Sequence, residues 1–247
     1  MNGYMQKTGI VIPCYNEYDR LDTRQFEEFI TTRDDYYLCF VNDGSSDQTA
    51  TLLKEFVGRH PEKSGWVNLE QNAGKAEAVR QGFLYCLRAD RFEYIGFIDA
   101  DLATPLSQVA YLIDWARLYG KKMIFGSRVK RLGVQIHRRT IRHILGRIFA
   151  TVISNMLDLP IYDSQCGIKF MTGEYARIAF DKPFLSKWVF DVEIFARLKI
   201  SLDRMDQDIL EVPLLEWSEI GGSKLKISSM LRVPKDLYKI YKNYNLK

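Results

Sequence analysis

Cysteine is scarce and scattered in this chain. Cys14, Cys39, Cys86 and Cys166 are widely separated and form no CxxC pair, which argues against a zinc knuckle or a disulfide framework and suits a reducing compartment. The three histidines, His60, His137 and His143, make no metal-ligand set. No basic-then-apolar leader is present, and uncharged apolar runs such as "IFATVISNML" at 148–157 reach about half of a bilayer span. Glycine-rich phosphate cradles are missing too. Neither GxGxxG nor GxxxxGK[ST] occurs, which sets aside hydride transfer on a dinucleotide and P-loop chemistry. Internal repeats, low-complexity tracts and linkers are likewise lacking, so one continuous domain is expected.

With 47% hydrophobic and 27% charged residues, the chain can bury a large core. Its net charge of +4 is unevenly spread. Residues 128–157 hold seven Lys or Arg and no acid, and residues 223–247 hold seven against Asp236, so the rest of the chain is acidic. Local basicity of this kind suits an anion-facing surface; solvated helix faces are the plainer alternative.

Short apolar runs at 9–13, 36–43, 66–70, 94–100 and 122–127 read as strands, most of them apolar on both faces. Helical patterns near 24–32, 48–59, 75–89 and 107–119 fall between them. This alternation predicts an α/β fold with a mostly parallel, Rossmann-like sheet covered by helices on both faces. A capping box from Ser45 to Gln48 is expected to start the second helix. Beyond 128 the spacing predicts a basic helix over 138–157, helices near 174–180 and 191–200, a strand over 209–217 and a last helix from about 228.

In such a sheet the binding crevice lies at the carboxyl ends of the strands. Four polar clusters fall there: "PCYNE" after the first strand, "NDGSSD" after the second, "QNAGK" after the third and "DAD" after the fourth. Tyr15 is suited to pack on a base, Glu17 to accept from ribose hydroxyls, and Asp43 to accept from a uracil N–H. Asp99 and Asp101, two apart, would project from one face of an extended chain about 7 Å apart at Cα. Paired carboxylates at a phosphate site suit Mg²⁺ or Mn²⁺.

The motifs "VIPCYNE", "VNDGSSDQT", "NAGKAEAVRQGF", "DAD", "GSR", "DSQCGIKFM", "WVFDVEIF" and "WSEIGGSK" resemble the family 2 glycosyltransferases of the GT-A fold over residues 8 to about 240. The "DSQCGIKFM", "FDVE" and "GSK" set resembles in particular the dolichyl-phosphate β-glucosyltransferases and their bacterial polyprenyl-phosphate relatives. The resemblance implies inverting transfer of a hexose, glucose from UDP-glucose, to a lipid phosphate at the cytosolic face of a membrane. The protein would then be cytoplasmic and peripheral.

Position by position, the resemblance implies donor contacts at Pro13, Tyr15, Glu17, Asp43, Lys75, Asp99, Ala100 and Lys224, and metal ligation by Asp99 and Asp101. It implies an acceptor-phosphate grip by Arg128, Arg138 and Arg142. A donor half (1–127) and an acceptor half (128–247) follow. Mannose-transferring relatives carry Gln two residues beyond the second Asp; here it is Ala103, which favours the glucose group. Asp101, Asp163 and Asp191 are the expected catalytic carboxylates, with Asp163 foremost as the group near the attacking oxygen. Cys166 is expected to be a packing residue.

Two other functions compete with transfer to a lipid phosphate. One is transfer onto a glycan hydroxyl in surface polysaccharide or cell-wall assembly; the other is a sugar-nucleotide or lipid-head binding protein without turnover. The 138–157 stripe of Arg139, His143 and Arg147 suits anionic lipid heads, and nucleic acid is set aside for want of a recognition module.

Overall fold

Alternation within single strands determines how this chain layers. In β1 (Lys7–Cys14) Ile10 and Ile12 pack on one side and Val11 on the other; in β2 (Tyr36–Asp43) Leu38 and Phe40 oppose Cys39 and Val41. Both faces are thus apolar, and each needs its own helical layer. The structure is a computed structural model that describes residues 7–137, 140–220 and 232–246, and the side chains of all of these except 137 and 140–145.

The remaining strands of the sheet are β3 (Ser64–Leu69), β4 (Phe92–Ile98), β5 (Met123–Ser127), β7 (Ile168–Thr172) and β8 (Ile209–Pro213). Their order is β3-β2-β1-β4-β7-β5-β8. All neighbours are parallel except β7, which runs antiparallel to both β4 and β5. A separate parallel ribbon pairs β6 (Gln135–His137) with β9 (Glu216–Ser218).

Helices α1 (Thr23–Thr32), α2 (Thr49–Arg59) and α4 (Ser107–Leu118) cover one face through Phe26, Leu53, Phe56 and Val109. On the other face lie α3 (Lys75–Ala89), α5 (Thr140–Leu157), α6 (Gly173–Phe180) and α7 (Phe190–Ser201). A short turn α8 (Met205–Asp208) precedes β8, and α9 (Val233–Asn243) packs Leu237 and Ile240 on this second layer. The helices lie very close to the sheet. A side chain on Gly82 of α3 would overlap Val11 and Val41, and Phe83 stacks on Phe180 with centroids 3.7 Å apart.

Two sequence expectations are corrected. The strand over 209–217 is two strands, because the chain leaves the sheet at Pro213, the last residue of β8, and pairs again only from Glu216. Ser45 does not cap α2: the N-cap is Gln48, without a side-chain capping bond, Asp47 Oδ1 just before it accepts the Thr49 N–H at 2.9 Å, and Ser45 Oγ accepts the Asn16 N–H. The start expected near 228 for the last helix lies outside the described residues; its described part is Val233–Asn243, with proline in its first turn, where a missing N–H costs nothing. The 138–157 helix is found at Thr140–Leu157.

Candidate active site

The loops after β1 and β2 are zipped together. Backbone N–H groups of Asn16, Glu17 and Tyr18 donate to Ser45 Oγ (3.0 Å), Thr49 Oγ1 (2.8 Å) and Asp47 Oδ2 (3.2 Å), and the Ser46 N–H donates back to Asn16 Oδ1 (2.8 Å). Asn16 takes a left-handed φ of 50°, which asparagine tolerates well. This interlock explains why "YNE" and "GSSDQT" each need their polar side chains. It leaves Tyr15 exposed at 37% and Pro13 half-buried, whereas Glu17 is buried and grips the Arg20 guanidinium at 2.7 Å.

Asp43 ties the second strand end to the third. It is buried, its Oδ1 accepts the Ala73 N–H (2.7 Å), and its Oδ2 accepts the Gly74 N–H (2.9 Å) and Asn72 Nδ2 (3.1 Å). Burial pushes its carboxyl up, while the Ala73 and Gly74 N–H groups pull it down. Asp43 therefore braces the 71–75 loop and the start of α3. Gly74, at φ 95°, allows that bend, and the Lys187 stem lies over it.

Asp99 and Asp101 lie just beyond β4. A tight turn, with the Leu102 N–H on Asp99 O (3.2 Å) and Leu102 at φ 52°, keeps both at the crevice. The Asp99 carboxylate receives Lys75 Nζ and packs so closely on Gly167 that any side chain there would overlap it. Asp101 Oδ1 accepts the Ala103 N–H (3.1 Å). Burial, then the charge of Asp99, pushes the Asp101 carboxyl up. Ala100 points into the core, so only its backbone borders the crevice.

Across the crevice, Arg128 follows β5 and is locked to Asp163. Its Nε and Nη2 donate to Oδ2 and Oδ1, both at 2.7 Å, and the guanidinium lies 5.4 Å from the Trp217 ring. Glu211 of β8 sets the loop that carries Asp163 by accepting the Tyr162 and Asp163 N–H groups at 2.7 Å. Asp191, in the first turn of α7, accepts from Lys169 Nζ at 2.5 Å. Lys169 is fully buried in β7 and also donates to Cys166 O at 2.6 Å. Burial pushes the Cys166 thiol up to about 12, which makes it a neutral packing group.

Arg138 and Lys224, and the side chain of Arg142, lie outside the described residues, as do the His137 and His143 side chains. His60 pairs with Glu27 at 3.0 Å, between α1 and the end of α2. Among the described residues no cluster of three His, Cys, Asp or Glu forms a metal cage; Asp99 and Asp101 are a pair.

Sequence reasoning overlooked Lys169, Glu211 and Trp217. Lys169 and Glu211 each interrupt an otherwise apolar strand, "IKFM" and "ILEVP", and an isolated charge in a buried strand is the signal that would have found them. Arg147, read only as part of a lipid-facing stripe, instead stacks over Tyr162 at 3.7 Å and donates to its carbonyl at 2.8 Å. It borders a pocket with Arg128, Tyr162, Ser164 and Gln165. Ser164 Oγ and Gln165 Nε2 are buried without a partner among the described residues.

The sequence matches Glycosyl transferase family 2 over residues 9–177. It is 33% identical to a dolichyl-phosphate beta-glucosyltransferase of Trichomonas vaginalis, across 94% of this chain and 70% of that protein. It is 30% identical to the Homo sapiens dolichyl-phosphate beta-glucosyltransferase, across 97% and 76%. Among solved structures, glucosyl-3-phosphoglycerate synthase from Mycobacterium tuberculosis, in complex with Mn²⁺, uridine-diphosphate and phosphoglyceric acid, superposes with a TM-score of 0.68. At 15% identity over 98% of this chain and 80% of that one, this likeness concerns the fold. The chain belongs to glycosyl transferase family 2 and is a glycosyltransferase of the GT-A fold.

Proposed function

We propose that this protein transfers glucose, with inversion, from UDP-glucose to a polyprenyl or dolichyl phosphate. The observation that carries the reading is the Asp99 and Asp101 pair beyond β4, facing Arg128 across the crevice, in a chain whose relatives are dolichyl-phosphate beta-glucosyltransferases. A solved neighbour of the same fold was crystallised with Mn²⁺, UDP-glucose and phosphoglyceric acid, which supports the donor and metal classes.

The residues fit a divalent cation. They offer hard carboxylate oxygens, Gly167 leaves the Asp99 carboxylate its room, and Asp101, pushed up first by burial and then by the Asp99 charge, lies beside it. Asp99 and Asp101 would hold Mg²⁺ or Mn²⁺, with substrate and water completing the shell. Bound there, the ion supplies Lewis acidity toward the charge that builds on departing UDP.

Tyr15 and Pro13 border the nucleobase side, with Asp43 shaping it from behind; Glu17 would share its carboxylate between Arg20 and the ribose. A phosphate acceptor is already anionic near neutral pH, so it needs a counter-charge and a direction more than a base. Arg128 supplies the charge. Asp163, with both oxygens on Arg128, orients it and is a poor base. Residues 1–127 then form the donor half and 128–247 the acceptor half, working peripherally at a membrane's cytosolic face; no described helix is long and apolar enough to cross a membrane.

The test is incubation with radiolabelled UDP-glucose, Mn²⁺ and a short polyprenyl phosphate, followed by organic extraction. Label in the organic phase supports the proposal. Label confined to water-soluble glycan points to a hydroxyl acceptor, and UDP binding without transfer to either points to a binding protein; both outcomes refute it.

A further inference from the structure

Lys75 occupies an odd position. It is the first residue of α3, directly after Gly74, where the helix macrodipole and the unpaired N–H groups disfavour a cation. The surrounding acids compensate for this. Its Nζ pairs with the Asp99 carboxylate, and the charges of Asp191 and Asp101 lie nearby. Asp191 is itself anchored, since buried Lys169 donates to its Oδ1. Lys75 therefore sits at the edge of three carboxylates, two of them the ligand pair assigned above.

We infer that Lys75 is a resident counter-ion of the Asp99 and Asp101 pair, which an incoming divalent cation must displace from Asp99. This inference rests on the reading of Asp99 and Asp101 as the metal ligands. The ammonium stabilises the pair while the metal is absent, and it lowers the pair's affinity for the metal by competing for an Asp99 oxygen. Once displaced, it stays within the crevice as a positive group beside the diphosphate side. Lys75 thus acts through Asp99 as a positioning residue, tuning when the carboxylates become available.

The competition has a sign that a scaffolding role does not share. If Lys75 merely oriented Asp99 for the metal, its loss would weaken binding; if it competes, its loss strengthens binding. Mn²⁺ should be titrated into the full chain without nucleotide, with free Mn²⁺ followed by electron paramagnetic resonance and folding checked by circular dichroism. Lys75→Met should bind Mn²⁺ about three- to tenfold more tightly than wild type, the size expected when a partly exposed ion pair no longer has to be broken. Lys75→Arg, which keeps a paired cation, should return the affinity to near the wild-type value, and Lys75→Gln, which also removes the charge, should tighten binding as Lys75→Met does and covers the case in which the Met variant does not fold. Lys187→Met, which removes a nearby lysine that does not pair with Asp99, should change little.

Unchanged or weaker Mn²⁺ binding in Lys75→Met, or tightening as large in Lys187→Met, would overturn the inference. Asp101→Asn separates this failure from that of the underlying reading. If it loses Mn²⁺ affinity while Lys75→Met gains none, the metal site stands and the counter-ion role falls. If Asp101→Asn binds Mn²⁺ as wild type does, the metal assignment itself falls.

Discussion

Arg128 and Asp163 meet as a nearly buried, two-bond fork: Nε to Oδ2 and Nη2 to Oδ1, both 2.7 Å, with about a tenth of either side chain exposed. The Arg128 backbone N–H adds a third bond to Oδ2 at 3.2 Å. A carboxylate held this way cannot readily take a proton from a substrate, because its basic lone pairs already face a permanent cation.

Asp163→Ala should therefore act through Arg128. Stranding the guanidinium is expected to destabilise the fold by about 3 kcal/mol, read as a lower denaturant midpoint, and to raise KM for the lipid phosphate. Asp163→Asn should lose rate while its residual activity keeps the wild-type pH dependence. A general base would instead take one limb of the pH profile with it.

Lys169 and Asp191 make a second buried pair in the core of the acceptor side. Lys169→Met alone should cost about 3–5 kcal/mol, because Asp191 is left charged and uncompensated. The double variant Lys169→Met/Asp191→Leu should recover much of that loss in urea denaturation. Additive losses would mean that the two do not act as a pair.

Gly167 backs directly onto the Asp99 carboxylate. Gly167→Ala should push that carboxylate aside, weakening Mn²⁺ binding about tenfold or more while leaving the melting temperature within a few degrees of wild type. This follows because the obstructed atoms belong to a side chain at the crevice and not to the packed core. Isothermal titration of Mn²⁺ beside thermal denaturation separates the two effects.

Much of the fold was legible because its signals are local. Apolar runs bounded by turn residues located β1 to β5, and the helical spacing between them located α1 to α4 within a few residues. The position of β7 was not legible. Inserting an antiparallel strand between β4 and β5 depends on contacts across the sheet, such as Phe97 with Lys169 and Phe125 with Lys169, which no local pattern encodes. The site divides similarly. Asp99 and Asp101 are visible from their spacing at a strand end, but the engagement of Asp43 by Ala73 and Gly74, and of Asp163 by Arg128, is decided by residues 30, 31 and 35 positions away.

Alkaline stability offers a test of the core. Burial pushes the Tyr36 phenol on β2 up to about 12, whereas an unfolded tyrosine ionises near about 10. Between those values the folded chain keeps a proton that the unfolded chain has lost, so stability falls as pH rises through that window, by about 2–3 kcal/mol from this residue. Tyr36→Phe should flatten that fall in denaturant titrations from about pH 10 to about 12. A parallel fall in both proteins would contradict the assignment.

The central claim is that the Asp99 and Asp101 carboxylates serve a metal-assisted departure of UDP. Its most direct measurement is glucose transfer from UDP-glucose to polyprenyl phosphate by wild type and Asp101→Ala, each with saturating Mn²⁺ and with folding verified by circular dichroism. The account predicts a folded variant whose turnover drops by at least about a hundredfold; a folded variant that transfers glucose at the wild-type rate would contradict it.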